Sequence, residues 1–430
     1  MTPGGRLSAA IEILDEVLAR HRPATDAIRD WGRTRRFAGS ADRAAINALV
    51  NAALRRRQSI AWLMGGETPR ALALGALGLS WHQSPDEIAA ACDGGRFAPP
   101  PLSEAERARL AGPGVADTAP PDHVRGDYPE WLTPAFAATF AERAPDEGQG
   151  LAGRAPLDLR VNTLKAGRDQ VADALSRFHV RPTRLSPHGL RIALDEGPGR
   201  VANVESHALH GRGRFEVQDE GSQVAALLAG ARPGMQVVDY CAGAGGKTLA
   251  LAAAMENRGQ IYAHDADRRR LRPIFERLRR AGARNVQVLD GAGGLAGLEA
   301  RADLVLVDAP CTGTGVWRRR PDAKWRLTDR ALGERVAEQR EVLADAARLV
   351  RSGGRLAYVT CSVLEPENNH QIQEFMSKNG DFSVVSWQDA WADVLPGEPP
   401  ASASPVAETL LLTPALNATD GFFVALLRRR

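Results

Sequence analysis

Two of the four cysteines follow stretches that read as buried strands, and a thiolate is a strong nucleophile. Cys311 comes after the apolar run ADLVLVDAP, and Cys361 ends the run GRLAYVT. The carboxyl ends of neighbouring parallel strands meet at one edge of a sheet, so we expect both thiols to face the same cleft. Cysteines buried by chance would instead be scattered through strand interiors.

A cysteine nucleophile that works beside a methyl donor suits one reaction class, the methylation of C5 of cytosine. This carbon is too electron-poor to attack a sulfonium methyl group, but addition of a thiolate at C6 turns it into a carbanion-like centre. A base must then remove the C5 proton so that the thiol can leave. Asp308 closes the strand before Cys311 and can hydrogen-bond the N3 and N4 edge of the base. Residue chemistry alone leaves open which cysteine is the nucleophile.

A glycine-rich turn follows an earlier predicted strand, between Asp239 and Thr248. Glycines let a backbone approach a ligand closely and aim N–H groups at it from a helix N-terminus. A Walker A loop would need glycine at position 241, where Cys241 stands, and a P-loop NTPase is the alternative interpretation. The next predicted strand leads to Asp265, and a carboxylate there suits the hydroxyls of a ribose. The turn therefore favours a nucleoside cofactor, NAD or S-adenosylmethionine.

The segment that follows Cys311 combines cations with indoles. Five cations and two tryptophans lie between Val316 and Arg326, which suits phosphate contacts and base stacking. A solvated loop is the alternative. The expected RNA-binding residues are Arg318, Arg319, Arg320, Lys324 and Trp325.

Strands alternate with helices from Phe215 onward, which predicts right-handed βαβ units and a doubly wound, mostly parallel sheet covered on both faces. In such a sheet the ligand lies beyond the carboxyl ends of the strands. The predicted strands are MQVVDYC, QIYAHDA, NVQVLD, ADLVLVDAP, GRLAYVTCS, DFSVVSW and GFFVALL, and one helix is predicted over RRRLRPIFERLRRAG.

Two smaller regions precede this sheet. Residues 1 to about 95 show helical spacing, with one helix predicted to have Asp42 as its N-cap. Residues 1–60 hold 11 Arg against 6 Asp and Glu, which leaves a solvated face and an RNA-binding module equally open. A Pro-rich connector and a small α/β segment follow. The predicted domains are residues 1–125, 126–215 and 216–430.

Length and composition limit the class of protein. The chain has 430 residues, 44% hydrophobic and 25% charged, which suits a soluble globular protein of two or three domains and excludes collagen-like or coiled-coil chains. No stretch approaches the roughly 18–20 apolar residues of a membrane span, and no signal peptide is apparent. We therefore expect a cytoplasmic monomer. No cysteine lies in a CxxC pair, so no metal is expected.

Four motifs in order resemble the bacterial Sun/Fmu branch of the NOL1/NOP2/Sun family of RNA 5-methylcytosine methyltransferases. They are QDEGSQ, DAPCTGTGVWRRRPDAKW, TCSVLEPEN and GFFVALL. The resemblance implies a NusB-like all-α N-terminal domain that binds RNA, a small RNA-recognition-like module and a class I methyltransferase domain. It further implies methylation of RNA, with 16S ribosomal RNA expected as substrate. A non-catalytic RNA-binding ribosome assembly factor is a second alternative to this function.

The same resemblance assigns roles to individual residues. Cys361 is the implied nucleophile, Cys311 helps to release the product and Asp308 acts beside them. The implied contacts to S-adenosylmethionine are Cys241, Ala242, Gly243, Ala244, Gly245, Gly246, Lys247, Asp265, Asp290 and Asp308. The chain has Ala244 where the family usually has proline, and Asp290 precedes a glycine where the family generally shows Gly-Asp.

Overall fold

The computed structural model describes residues 1–112, 119–194, 197, 199, 203–289 and 291–430. These described residues form twenty-one α-helices and twelve β-strands, numbered in chain order. The helices are α1 (Pro3–Arg20), α2 (Ala24–Thr34), α3 (Ser40–Arg55), α4 (Arg57–Met64), α5 (Pro69–Leu79), α6 (Pro85–Ala91), α7 (Glu104–Ala111), α8 (Asp122–Arg125), α9 (Thr133–Phe140), α10 (Ala144–Ala152), α11 (Arg168–Ala174), α12 (Ala208–Gly211), α13 (Glu220–Leu228), α14 (Gly246–Ala254), α15 (Arg268–Leu271), α16 (Ile274–Ala281), α17 (Pro321–Arg326), α18 (Asp329–Ala347), α19 (Asn369–Lys378), α20 (Trp387–Val394) and α21 (Pro414–Asn417). The strands are β1 (Leu157–Val161), β2 (Arg181–Pro182), β3 (Gly189–Ile192), β4 (Phe215–Val217), β5 (Gln236–Asp239), β6 (Gln260–Ala263), β7 (Val286–Val288), β8 (Ala302–Asp308), β9 (Val350–Thr360), β10 (Phe382–Val385), β11 (Leu410–Leu412) and β12 (Phe422–Arg429).

Helices α1 to α6 enclose the core of a helical N-terminal region. The hydroxyl of Thr2 caps α1 by accepting a hydrogen bond from Gly5 N (3.1 Å), and Pro3 occupies the first helical position. The buried face of α1 repeats at helical spacing and includes Leu7, Ile13, Leu14 and Val17. The helical character predicted for this region is confirmed.

The predicted N-cap at Asp42 is wrong. Helix α3 begins at Ser40 after Gly39, so Asp42 is the third residue of its first turn. The Asp42 carboxylate accepts hydrogen bonds from Gly39 N (3.3 Å) and from Arg6 Nε (2.8 Å). An acid three residues after the cap can satisfy the free N–H of the cap residue, and here it also ties α3 to α1.

A four-stranded antiparallel sheet follows, in the order β2-β3-β1-β4. Its core is formed by apolar residues of β1, β3 and α11, including Leu159, Leu190 and Val171. The sequence predicted two of these strands. The added strand β4 ends at Val217, so this sheet extends past the boundary predicted at residue 215, and the division into domains stays a prediction.

The largest sheet has eight strands in the order β10-β12-β9-β8-β5-β6-β7, with β11 paired to β12. Strands β5 to β9 run parallel to one another, whereas β12 is antiparallel to β9, β10 and β11. The predicted doubly wound, mostly parallel sheet is therefore confirmed, and its strand order with one reversed strand is that of a class I methyltransferase.

Two details of this region differ from the prediction. The helix expected over residues 268–282 is two helices, α15 and α16, with Pro273 between them. Proline has no N–H to donate and its ring clashes with the preceding turn, so the helix is interrupted there. The added strand β11 lies within the segment predicted to be a loop, where Leu410, Leu411 and Leu412 are buried against β12.

An aromatic cluster joins α9 to the segment that follows Cys311. The rings of Tyr128 and Phe136 stack at 4.2 Å between centroids, and Phe136 stacks on the buried Trp317 at 6.0 Å. Such pairs stabilise a fold beyond the area that they bury. Among the described residues, no helix is long and apolar enough to cross a membrane.

Candidate active site

The carboxyl edge of the eight-stranded sheet collects the side chains that the sequence singled out. Strand β5 ends at Asp239 and β8 ends at Asp308. Cys361 directly follows β9, and Asp265 lies just beyond the end of β6. In parallel sheets this edge is where ligands bind, because loops and helix N-termini surround it.

The two strand-end thiols lie against each other. Cys311 Sγ and Cys361 Sγ are 3.3 Å apart, and either sulfur can donate the hydrogen. Both are free thiols, since a disulfide bond would bring the sulfurs to about 2.05 Å. The hydrogen bond to Cys361, together with burial, raises the pKa of Cys311 well above its usual range.

A buried ion pair lies at the same edge. Lys247 Nζ is 2.7 Å from Asp308 Oδ2 and stands over the ring of Phe422 at 5.1 Å from its centroid. Lys247 belongs to the first turn of α14 and is almost fully buried, whereas the Asp308 carboxylate is one-third exposed. The Asp308 side chain is therefore fixed by Lys247 and still reaches the solvent at this edge of the sheet.

The glycine-rich turn between β5 and α14 is held against Asp265. Gly243 N donates to Asp265 Oδ2 (2.9 Å), while Asp267 N donates to Asp265 Oδ1 (2.9 Å). Gly245 has φ +83°, and a Cβ there would lie 2.5 Å from Ile274 Cγ1. Only glycine fits this position, so the turn and α16 approach each other as closely as a backbone allows.

Two arginines fix the carbonyl oxygens of this turn. Arg277 Nη1 donates to Ala244 O (2.8 Å), and Arg160 Nη1 donates to Gly246 O (2.8 Å). Arg160 is buried, which lowers its pKa to about 10. These bonds restrain the backbone at Ala244, where the sequence has no proline to do so.

Three carboxylates surround Cys241. Burial first, and then the charges of Asp265, Asp308 and Asp239, raise the pKa of its thiol well above the usual range. Asp239 is itself buried, and burial raises its pKa to about 7. Its Oδ2 accepts from Thr248 Oγ1 (2.6 Å), whereas its Oδ1 has no hydrogen-bond partner among the described residues. Lys247 pairs with Asp308 and Arg270 pairs with Asp265, so the spare acceptor at this loop is Asp239 Oδ1.

The family model for the 16S rRNA methyltransferase RsmB/F matches residues 226–428, and that for the ferredoxin-like domain of RsmF/B-like methyltransferases matches residues 128–196. The probable ribosomal RNA small subunit methyltransferase B of Synechocystis is 30% identical over 309 residues, which cover 70% of this chain and 67% of that protein. The ribosomal RNA small subunit methyltransferase B of Sodalis glossinidius is 32% identical over 324 residues, which cover 73% of this chain and 68% of that protein. The chain belongs to the RsmB/F methyltransferase family.

Solved structures agree with this assignment. The crystal structure of PH0851 is similar over 100% of this chain and 99% of that chain, with a TM-score of 0.72 and 26% identity. A methyltransferase homologue from Pyrococcus horikoshii covers 72% of this chain and 98% of its own, with a TM-score of 0.60 and 26% identity. The similarity to PH0851 thus includes the helical N-terminal region of this chain.

Of the five residues expected to bind RNA, Arg318 and Lys324 are buried in this RsmB/F chain, and Trp325 is half-buried. Lys324 Nζ donates to Arg55 O (2.9 Å), and Trp325 Nε1 donates to Leu54 O (2.6 Å). Arg55 Nε in turn donates to Arg318 O (3.1 Å). These three hydrogen bonds join the last turn of α3 to α17 and to the residue Arg318 before it. We call the five residues that they connect the α3–α17 seam: Leu54, Arg55, Arg318, Lys324 and Trp325.

The seam has a physical reason. The last carbonyl groups of a helix lack partners within the helix and carry partial negative charge, so a buried cation at that end is favourable. Burial lowers the pKa of Lys324 to about 7, and the charge of Asp127 opposes this effect. Lys324 also stands over the ring of Trp325, at 4.8 Å from its centroid. Lys324 and Trp325 are therefore parts of an interface within the chain, and their contact with RNA stays a prediction.

The neighbouring arginines form an ion cluster. Arg318 Nε and Arg319 Nε both donate to the carboxylate of Asp420 (2.5 Å each), and Arg319 Nη2 donates to Asp219 Oδ2 (2.9 Å). Arg318 is buried by this cluster, whereas Arg319 and Arg320 keep exposed surface. An RNA contact stays a prediction for Arg319 and Arg320.

Two further expectations concern the ligands of the family site. Asp290, expected to contact the adenosine, lies outside the described residues. No group of three or more His, Cys, Asp and Glu side chains that could hold a metal occurs in the described part of the chain.

Sequence reasoning did not select Asp239 or Glu367 as site residues. Asp239 closes β5 as Asp308 closes β8, so its place at a strand end was a signal that could have found it. Glu367 lies within TCSVLEPEN, where nothing distinguishes it from Glu365 until the fold shows what each carboxylate contacts.

Proposed function

We propose that this chain transfers a methyl group from S-adenosylmethionine to C5 of a cytosine in RNA, with small-subunit ribosomal RNA as the substrate. The observation that carries the proposal is the 3.3 Å contact between Cys311 and Cys361 at the carboxyl edge of the sheet. The names of the relatives from Synechocystis and Sodalis glossinidius support the choice of RNA.

S-adenosylmethionine would supply an electrophilic methyl group on a positively charged sulfur. Asp239 Oδ1, which is buried and has no partner among the described residues, can accept a hydrogen bond from such a ligand. Cys241 stands where a Walker A loop needs glycine, which disfavours the P-loop alternative. The residues proposed to hold the cofactor are Cys241, Ala242, Gly243, Ala244, Gly245, Gly246, Lys247, Asp265 and Asp308, and Asp290 is proposed from its sequence position.

Cys361 acts first in the proposed mechanism. Its thiolate forms a bond to C6, which makes C5 nucleophilic. C5 would then take the methyl group, and the electron pair of the broken S–C bond would stay on the sulfur of the cofactor, which leaves as a neutral thioether. Asp308, held by Lys247 at 2.7 Å, stabilises the adduct through the N3 and N4 edge of the base.

Cys311 acts in the release of the product. With Cys361 bonded to C6, Cys311 gives its own proton to solvent, and its thiolate then takes the C5 proton. The electron pair of that C–H bond restores the ring double bond, and the C6–S bond to Cys361 breaks.

The remaining parts of the chain are proposed to bind RNA around the target base, which must leave its stack to reach the cysteines. The proposed units are residues 1–125, 126–215 and 216–430, acting as a monomer in the cytoplasm, where ribosomal RNA is modified. Arg319 and Arg320 are the proposed phosphate contacts near the cleft, because both keep exposed surface.

The test is transfer of labelled methyl from S-adenosylmethionine to RNA by wild type, Cys361→Ala and Cys311→Ala. We expect methylation by wild type, none by Cys361→Ala, and an RNA-linked protein that accumulates with Cys311→Ala. Cys92→Ala is the matched control, since Cys92 is buried in the helical N-terminal region. Methylation by Cys361→Ala would exclude it as the nucleophile. If the wild-type protein methylates none of the RNAs that it binds, the result would favour a non-catalytic assembly factor.

A further inference from the structure

One buried carboxylate contacts the segments that carry both active-site thiols. Glu367 ends the short 3-10 helix Glu365–Glu367 after β9 and has no exposed surface. Its Oε1 accepts from Thr312 N (2.8 Å), and its Oε2 accepts from Thr312 Oγ1 (2.5 Å) and from Ser362 Oγ. Thr312 directly follows Cys311 and Ser362 directly follows Cys361.

A third element closes this network. Gln339 of α18 is buried, and its Nε2 donates both to Glu367 Oε1 (3.0 Å) and to Pro310 O (2.9 Å). Pro310 directly precedes Cys311, so the backbone on both sides of this cysteine is tied to one carboxylate. Four donors satisfy that carboxylate as an anion, which is the condition for burying one without large cost.

We propose that Glu367 is a positioning residue that holds the segments of Cys311 and Cys361 at the separation their chemistry needs. The two loops come from different strands, and a link of fixed length between Thr312 and Ser362 sets how far apart the thiols stand. The consequence for catalysis rests on the proposed function, because only a reaction that uses both sulfurs requires this separation.

The length of the side chain, rather than its charge, is the decisive property. Glu367→Gln keeps that length: its amide oxygen can accept from Thr312 N and Gln339, and its NH₂ can face the hydroxyls of Thr312 and Ser362, which also accept. Glu367→Asp keeps the charge but withdraws the carboxylate by one methylene, so it cannot reach both segments. Positioning therefore predicts that Gln is tolerated and Asp is not, and a role of the charge predicts the reverse.

The matched control is Glu365, at the start of the same 3-10 helix. It is also buried, and its carboxylate accepts from Asn369 Nδ2 (2.9 Å). Glu365→Asp and Glu365→Gln make the same chemical changes one turn away, without touching Thr312 or Ser362. They measure what a shortened or neutralised buried glutamate does to the fold alone.

The first readout needs neither RNA nor cofactor. Dibromobimane becomes fluorescent when it bridges two neighbouring thiols, and it is applied to the full chain in a Cys92→Ser/Cys241→Ser background. We expect wild type, Glu367→Gln and both Glu365 variants to be bridged, and Glu367→Asp to lose most of the bridged product. Circular dichroism and thermal unfolding establish that each variant is folded.

The second readout is steady-state methylation of RNA. We expect kcat of Glu367→Asp to fall by about 100-fold, the scale expected for misplaced reacting groups, with KM for RNA almost unchanged. Glu367→Gln stays within about tenfold of wild type, because a charge-assisted hydrogen bond is replaced by a neutral one. A merely structural role would lower the midpoint of unfolding for both variants and leave this split between kcat and KM absent.

Bridging of Glu367→Asp at the wild-type level, or a Gln variant more impaired than the Asp variant, overturns the proposal. If Glu367→Asp does not fold, the double variant Thr312→Val/Ser362→Ala removes two of the four donors instead, and normal bridging in that variant overturns the proposal equally. A wild type that is bridged as expected but methylates no RNA refutes the proposed function and leaves the positioning role standing.

Discussion

Charged side chains are buried both at the carboxyl edge of the sheet and in the α3–α17 seam, but their hydrogen-bonding capacity is used differently. In the seam, Lys324 and Trp325 donate to carbonyl groups that close the end of a helix. At the carboxyl edge, Asp239 keeps an unpartnered oxygen and Asp308 keeps one-third of its side chain exposed. Buried polar groups are normally satisfied, so Asp239 Oδ1, which has no partner among the described residues, is an atom whose bonding a ligand at this edge can complete.

The difference teaches that the type of a residue and its neighbourhood in sequence do not separate a binding surface from an interface. Lys247 and Lys324 are both nearly fully buried lysines. Lys247 pairs with a carboxylate in the cleft, whereas Lys324 donates to a carbonyl group at the end of a helix. Four predictions test this distinction, each at a different member of the comparison.

The largest effect is expected for Lys324→Met. The substitution keeps the length of the side chain but leaves Arg55 O without its donor and the buried Asp127 without a compensating cation. We expect the free energy of unfolding to fall by about 3 kcal/mol, the upper end of the cost of leaving a hydrogen-bond acceptor without its donor inside the fold. Urea unfolding followed by tryptophan fluorescence measures it.

Lys378→Met is the control for this change, since Lys378 pairs with Glu374 on the surface (2.7 Å) and its loss should cost about 0.5 kcal/mol or less. A Lys324→Met variant with normal stability but weakened RNA binding would contradict the seam. It would favour Lys324 as an RNA contact.

The second effect is expected for Lys247→Met. It removes the cation that holds Asp308 at 2.7 Å, so the carboxylate is no longer oriented toward the base or the cofactor. We expect kcat/KM for methylation to fall by about 100-fold, the scale on which misplaced groups act. Steady-state methylation at saturating RNA and varied S-adenosylmethionine measures kcat/KM for the cofactor.

Asp308→Asn serves as the partner variant in a double-mutant cycle. If the two residues act as a pair, the double variant should be little worse than either single one. Fully additive losses would show that Lys247 and Asp308 act independently.

The sequence could predict much of the carboxyl edge because topology constrains it. Once ADLVLVDAP and GRLAYVT are read as parallel strands, Cys311 and Cys361 must come near each other, whatever the rest of the chain does. The alternation of strands and helices likewise predicted the main sheet. The reversed strand β12 does not interrupt that pattern, because it enters between β9 and β10 without changing the order of the elements along the chain.

The seam and the Glu367 network could not be predicted in this way. The helix α17 has six residues, too few for a periodic pattern, and Lys324 meets Arg55 across 269 positions of the chain. Glu367 meets Thr312 across 55 positions, through a 3-10 turn with no signature of its own. Both depend on how separate elements dock, which composition and spacing do not record.

The third effect is a pH dependence that belongs to Asp239. Burial raises its pKa from 3.8 to about 7, so the folded chain holds this proton longer than the unfolded chain does. Its contribution to stability is therefore present at acid pH and is lost as the pH rises through about 7. Binding of a cationic cofactor should follow the opposite course, because the carboxylate gains its charge over the same range.

We expect affinity for S-adenosylmethionine to rise by about threefold to tenfold between pH 6 and 8, the scale of one added charge in a partly screened site. Asp239→Asn should lose this rise. The amino group of the cofactor also ionises with pH, and subtracting the affinities of the Asn variant from those of wild type removes that contribution. Calorimetric titration of both proteins measures it. An unchanged slope in the Asn variant would place the titrating group elsewhere.

The smallest effect is expected for Arg320→Ala, and it completes the comparison from the other side. Arg320 lies between the buried ion cluster of Arg318 and the helix α17 but is itself exposed. We expect the free energy of unfolding to stay within about 0.5 kcal/mol of wild type. RNA affinity should fall about threefold, and the dependence of log K on log salt should become shallower by about one unit, the loss of a single phosphate contact. Filter binding at several salt concentrations measures both quantities. An Arg320→Ala variant with unchanged affinity and slope would remove Arg320 from the RNA surface and leave Arg319 as the proposed phosphate contact of this segment.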